Sequence, residues 1–190
     1  MLASLINFLR RHRNISDEDV AVIGQHIHLR TVKEGDVLLQ EGKVARELFF
    51  ISNGILKITH VNDKGNEVVL FFVKEDHLCT ILNSFENNVP AHESILAASD
   101  ATLVVFTREQ LLQLYTLIPY FKDLMEGITR EALMRKIQLR NTYAGADASA
   151  RYQLFLELQP DISLRVPLND IASYLGITPQ SLSRIRRNIR

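Results

Sequence analysis

The sequence predicts an α+β protein: an antiparallel barrel or sandwich set between short N-terminal helices and a helical C-terminal half. Three observations carry this. From about His28 to Phe106, short β-rich runs alternate with turn residues, the pattern of several antiparallel strands. Helical patterning brackets that region on both sides. The chain then closes on "DIASYLGITPQSLSRIRRNIR", two short amphipathic stretches around a glycine.

Taken in order, two N-terminal helices come first. The second opens at "ISDEDV", where Ser16 can cap, Asp17 to Asp19 suit the positive end of the helix, and Ile15 and Val20 can staple. The strand candidates are "VLLQEG", "ELFFISNG", "ILKITHVNDKGNE", "VVLFFVKEDH", "SILAASD" and "TLVVFT", with Gly35-Asp36, Gly42, Asn53-Gly54 and Lys64-Gly65-Asn66 as turns. Helix returns at Thr107, which stands at capping-box spacing from Gln110. A longer helix is expected from about Pro119 to Arg140. One apolar stripe runs through Phe121, Met125, Ile128, Ala132 and Leu139, and a second through Leu124, Leu133 and Ile137. One stripe docks a helix on its own domain. A second either meets another copy of the helix or also faces the barrel, and Arg135 interrupts the pattern. "YAGADASA" is a small-residue hinge.

In the closing stretch, Ile171, Ala172 and Leu175 share one face of a first helix. Gly176 suits a left-handed cap and Ile177 plugs the corner. Thr178 caps a second helix with Pro179 in its first turn, and Leu182 and Ile185 point back to the first. This spacing describes a helix-turn-helix. The second helix then presents Gln180, Ser181, Ser183, Arg184 and Arg187 outward. Gln and Arg suit adenine and guanine edges, Ser suits bases or phosphates, and Arg186 and Arg190 suit phosphates. With Thr178 at the helix start, these are the candidate DNA-binding residues.

Charge placement agrees. The chain as a whole is formally neutral, yet residues 151–190 carry six Arg against Glu157, Asp161 and Asp170, a net +3. A basic end on a slightly acidic body suits a polyanion. The single cysteine, Cys79, excludes a disulfide framework and any site needing several thiolates. The N-terminus places its apolar run before its basic run, the reverse of a signal peptide, and no apolar stretch approaches ~18 residues. A cytoplasmic protein with no membrane partner is expected. No catalytic elbow or phosphate-cradling glycine loop is present, so no catalytic residue and no enzyme activity is assigned. His26, His28 and Glu34 in "GQHIHLRTVKEG" lack the spacing of a metal-binding oxygenase, and no metal site is assigned. His77 and Cys79 lie two apart and keep a haem or redox sensor open as an alternative, although a packed thiol is the simpler reading.

On these motifs the chain resembles the Crp/Fnr family of bacterial regulators, over nearly its full length. "GDVLLQEG" and "ELFFISNGILKITHVNDKGNEVVLFFVKEDH" look like the early strands of the family's jelly-roll-like β-roll, of cyclic-nucleotide-binding type. "VPLNDIASYLGITPQSLSRIRRNI" looks like its DNA-binding end. The resemblance implies a β-roll sensor over residues 1–118, a dimerisation helix and hinge over 119–144, and a helix-turn-helix domain over 145–190. It further implies a homodimer through the 119–140 helix, base contacts by Gln180 and Arg184, a palindromic promoter site, and RNA polymerase as a further partner.

Departures from the family pattern modify this. Pro179 stands where many members carry a contact residue. Only twelve residues follow Thr178, so a C-terminal wing is not expected. The positions best matching the phosphate cassette read Cys79-Thr80 and His92-Glu93, and with Leu82 they form the effector-pocket candidates. His92 replaces an arginine and is mostly neutral near pH 7, while Glu93 repels phosphate. The expectation is therefore no cyclic AMP or cyclic GMP cofactor. A different small ligand, neutral or cationic, or none at all, stays open. The alternative function is a haem, redox or small-molecule sensor module with weak or no DNA binding.

Overall fold

The computed structural model describes residues 1–188. Helices α1 (Leu2–Arg10) and α2 (Asp17–Gln25) lead, and the Ser16 hydroxyl accepts the Asp19 N–H at 3.1 Å, the expected cap. Strands β1 (His28–Val32), β2 (Val37–Leu39), β3 (Glu47–Asn53), β4 (Leu56–Val61), β5 (Glu67–Val73) and β6 (Leu78–Cys79) follow. Next come α3 (Leu82–Asn87), β7 (Ser94–Ala97), β8 (Ala101–Thr107), α4 (Arg108–Leu117) and α5 (Phe121–Tyr143). The C-terminal end comprises α6 (Ala148–Leu158), α7 (Pro160–Ser163), α8 (Leu168–Tyr174) and α9 (Pro179–Asn188).

The strands form two antiparallel four-stranded sheets, ordered β1-β8-β3-β6 and β2-β7-β4-β5. Phe49, Phe50, Leu56, Ile95 and Phe106 are nearly or fully buried, and the central strands β3 and β8 are buried on both faces, with Phe8 of α1 packed against Phe50. The turn before β4 admits only glycine. Gly54 sits at φ +97°, and a Cβ there would lie 2.4 Å from the Asp100 carbonyl oxygen. Thr107 and Gln110 form the reciprocal capping box that fixes the direction of α4.

Helix α5 is 23 residues long, ~34 Å at 1.5 Å per residue. It runs three residues beyond the expected Arg140. The hinge is correspondingly shorter, because Asp147 caps α6, accepting the Ala150 N–H at 2.9 Å, and Ala148 to Ala150 are helical. Phe121, Leu124, Met125 and Ile128 are buried on the roll. Leu124, expected in the second stripe, thus belongs to the buried face. Leu133, Met134 and Ile137 are 45%, 53% and 53% exposed.

The C-terminal helices have their own small core of Tyr152, Phe155, Ile162, Val166, Ile171, Ala172, Leu175 and Leu182, completed by Ile55 and Ala98 of the roll. Polar contacts fasten it to β4 and β5. The Val69 N–H donates to the Ser173 hydroxyl at 3.0 Å, and Arg165 makes a two-bond pair with Glu75 at 3.0 and 2.5 Å. Lys57 reaches Asp170 at 2.9 Å, with both side chains mostly buried. Burial opposes the charge on Lys57, but its bonds to Asp170 and Glu67 prevail and hold its pKa above the ordinary lysine value.

Candidate functional site

The closing stretch folds as its spacing predicts. Helix α8 ends in a two-bond glycine cap. Gly176, at φ +66°, donates its N–H to the Ser173 carbonyl, and Ile177 donates to the Ala172 carbonyl, both at 3.0 Å. These are the paired bonds of a Schellman end, and the left-handed residue they require is the glycine. The chain then reverses, and the Thr178 hydroxyl accepts the Ser181 N–H at 3.1 Å to cap α9. Ala172 is fully buried, and Leu182 packs against the α8 side of the hairpin.

That packing fixes which side of α9 is left over. Gln180, Ser183, Arg184 and Arg187 are exposed, as is Thr178. Positions 180, 183, 184 and 187 recur at helical spacing, so they form one outward face. Ser181 is half-buried and lies at the edge of this face, bonded to Thr178. Arg186 is half-buried. Arg190 lies outside the described residues.

Electrostatics sharpens the face in a way composition did not reveal. Of the carboxylates in the last forty residues, Asp161 pairs with Lys74 at 2.7 Å and Asp170 pairs with Lys57. Both are drawn toward the roll. No acid stands on α9 itself, while Arg184, Arg186 and Arg187 do. The positive N-terminal end of the helix adds to their field.

The second candidate site is a cavity of about 330 Å³ between the roll and α5. Its walls come from β4 and β5 (Ile58, Leu70, Phe71), the segment opening α3 (Thr80 to Ser84), the approach to β7 (Pro90 to Glu93) and α5 (Leu133, Lys136, Ile137, Arg140). Helix α3 is firmly held. The buried Ser84 hydroxyl accepts the Ala45 N–H at 2.8 Å and donates to the Val89 carbonyl at 2.5 Å. Arg108 binds the carbonyl of Phe85 at 3.0 Å and that of Glu86 at 3.2 Å.

Four of the five effector candidates, Thr80, Leu82, His92 and Glu93, do line this cavity. Cys79 does not. It sits in β6 opposite Phe49, 2% exposed, with its side chain among the core residues. Burial pushes its thiol up to about 12, so a thiolate is not available there at neutral pH. His77, its supposed companion, bonds through Nδ1 to the Glu75 carbonyl at 2.8 Å. A strand of two residues gave no reliable alternation from which to infer a shared face. Sequence reasoning missed Lys136 and Arg140. Their four-residue spacing places them on one side of α5, but only the fold brings that side over His92 and Glu93.

The metal candidates do not converge. His26 bonds through Nδ1 to the Val22 carbonyl at 2.8 Å, and His28 lies 4.0 Å from Glu47. Among the described residues no group of three or more His, Cys, Asp or Glu is placed to hold a metal ion.

Comparison with known proteins matches this architecture. Residues 29–116 match the family model for the cyclic nucleotide-binding domain. The c-di-GMP responsive global regulator CLP of Xanthomonas campestris superposes with a TM-score of 0.71 at 16% identity, covering 92% of this chain and 91% of that one. FixK2 from Bradyrhizobium japonicum gives 0.73 at 15% identity, covering 86% and 84%. A putative Crp/Fnr transcriptional regulator from Eubacterium rectale gives 0.72 at 15% identity, covering 96% and 87%. No curated protein matches the chain in sequence. At these identities the likeness is one of fold: a cyclic-nucleotide-binding domain joined to a C-terminal helical end as in Crp/Fnr regulators.

Proposed function

We propose that this Crp/Fnr-like chain is a sequence-specific, DNA-binding transcriptional regulator that acts as a homodimer in the cytoplasm. The observation that carries the reading is the outer face of α9. Gln180, Ser183, Arg184 and Arg187 stand exposed on a helix that bears no acid and whose inner side is spent on α8. A helix so presented enters the major groove by its first turns. Gln180 and Arg184 then take base edges, while Thr178, Ser181, Ser183 and Arg187 take bases or phosphates. Arg190 is assigned to phosphate on its sequence position alone.

The homodimer is supported by the exposed apolar residues in the second half of α5. Pairing two such helices side by side buries Leu133, Met134 and Ile137 and sets two copies of α9 on half-sites about one turn, ~34 Å, apart. Such symmetry calls for a palindromic site. RNA polymerase is the further partner this role implies. The relatives named above are regulators by their titles, in keeping with a binding protein that has no catalytic activity of its own.

The roll is read as an effector domain that does not hold a cyclic nucleotide tightly. The wall formed by Thr80, Leu82, His92 and Glu93 offers no arginine to a cyclic phosphate and sets the Glu93 carboxylate there instead; the cavity's arginine, Arg140, comes from α5 on the other side. The alternative of a haem or redox sensor lacks support at Cys79, which is buried and protonated. Sheared genomic DNA passed over the immobilised protein tests the function. Enrichment of fragments sharing an inverted repeat supports it, and uniform retention refutes it.

A further inference from the structure

Building on that reading of the roll as an effector domain, we infer that the cavity under α5 takes an amphipathic monocarboxylate, a small acid with an apolar body. The wall facing the roll's interior is apolar: Ile58, Leu70, Phe71, Ile81 and Leu82. At about 330 Å³ the space falls at the lower end of the ~300–1,000 Å³ found for ligand pockets. A compact apolar body fills such a wall, whereas a nucleotide's ribose and base would meet few hydrogen-bond partners on it.

The charge of the ligand follows from α5. Two other cations on this helix have partners, Lys122 with Glu126 and Arg135 with Glu131, while Arg130 makes no ion pair among the described residues and lies outside this cavity. Lys136 and Arg140 make no ion pair among the described residues, although both line the cavity. The Lys136 ammonium lies 4.9 Å above the Phe71 ring, so this cation is held against the apolar wall without a counter-ion. Glu93 is the cavity's carboxylate, and it is bonded to neither cation. Two cations against one anion reverse the balance expected from His92 and Glu93 alone, and they favour an anionic ligand over a neutral or cationic one. The acid end therefore lies at α5 and the apolar end at Phe71 and Leu82. A carboxylate held there would tie the roll to α5 at Lys136 and Arg140, beside the exposed Leu133 and Ile137 and one turn before the hinge.

Calorimetric titration of the full chain, without DNA, tests this. The probes are 3-phenylpropionate and octanoate, each against its primary amide, with cyclic AMP as the rival. Saturable binding of at least one acid is expected, at least roughly tenfold tighter than its amide, because a charge-assisted bond is lost with the charge. Lys136→Gln and Arg140→Gln are each expected to weaken the acid by a similar factor and leave the amide unchanged. Glu93→Gln is expected to tighten the acid. Thermal melts confirm that each variant is folded. No saturable binding by either acid, equal binding of acid and amide, tighter binding of cyclic AMP than of both acids, or folded lysine and arginine variants that bind the acid like wild type would overturn the inference. Because no DNA is present, these outcomes are separate from any failure of the DNA-binding reading.

Discussion

The two halves of α5 contain similar apolar residues and use them differently. Phe121, Leu124, Met125 and Ile128 in the first half are at most 7% exposed, sealed against the roll and α4. Leu133, Met134 and Ile137 in the second half stand about half exposed. The first half is spent on the fold of one chain, and the second is left over for something outside it. Helix α9 repeats the division around its circumference instead of along its length. Leu182 is 1% exposed on the inner side, while Gln180, Arg184 and Arg187 are free on the outer. In both helices the buried residues explain the structure and the exposed ones point to the function.

Substitutions can break this division, and the largest effect is expected in the first half of α5. Phe121→Ala should destabilise the protein by ~3–5 kcal/mol, measured by urea unfolding, because a fully buried ring leaves a cavity behind. In the second half, Leu133→Glu with Ile137→Glu should leave the fold intact by circular dichroism yet produce a monomer by sedimentation at micromolar concentration. A monomeric wild type, with and without DNA, would refute the assignment of that face. On α9, Leu182→Ala should cost ~2–5 kcal/mol of stability, whereas Arg184→Ala should change stability by no more than ~0.5 kcal/mol.

The smallest effect concerns the join between the roll and the C-terminal helices. Burial raises the pKa of Glu75, but its bonds to Arg165 and the Gly54 N–H outweigh that and hold its carboxyl below the ordinary value of 4.5. A depressed pKa contributes stability that is fully present above about pH 4.5 and is lost as pH falls through the lower folded value. Hydrogen exchange at the Val69 amide, which donates to Ser173, should therefore accelerate relative to its neighbours as the pH drops below ~4. Glu75→Gln should remove most of that pH dependence. An unchanged profile in the variant would show that another group controls the join.

Much of this division was legible in the sequence where the governing contacts are local. Ala172, Gly176, Ile177, Thr178, Leu182 and Ile185 lie within fourteen residues, so glycine, cap and apolar spacing specified the hairpin directly. The capping box at Thr107 and the cap at Ser16 were readable for the same reason. The cavity was not. Lys136 and Arg140 meet the wall of His92 and Glu93 from more than forty residues away, and no spacing rule connects them. Nor could the neutral composition show that Asp161 and Asp170 turn toward the roll and leave α9 basic. Cys79 was misplaced because matching it to the phosphate cassette fixed a position along the chain but not the side to which its side chain turns, which is the core opposite Phe49.

The central claim is that the outer face of α9 reads DNA sequence in a pair of chains. Fluorescence-anisotropy titration of a genomically selected fragment tests it most directly, with wild type and Arg184→Ala compared on that fragment and on a scrambled one, across a salt series. The account predicts two protomers per fragment and at least ~10³-fold preference of wild type for the selected sequence. Arg184→Ala should lose ~1–3 kcal/mol per half-site on the selected fragment and much less on the scrambled one. Equal affinity of wild type for both fragments, or an Arg184→Ala variant that discriminates as well as wild type, would contradict it.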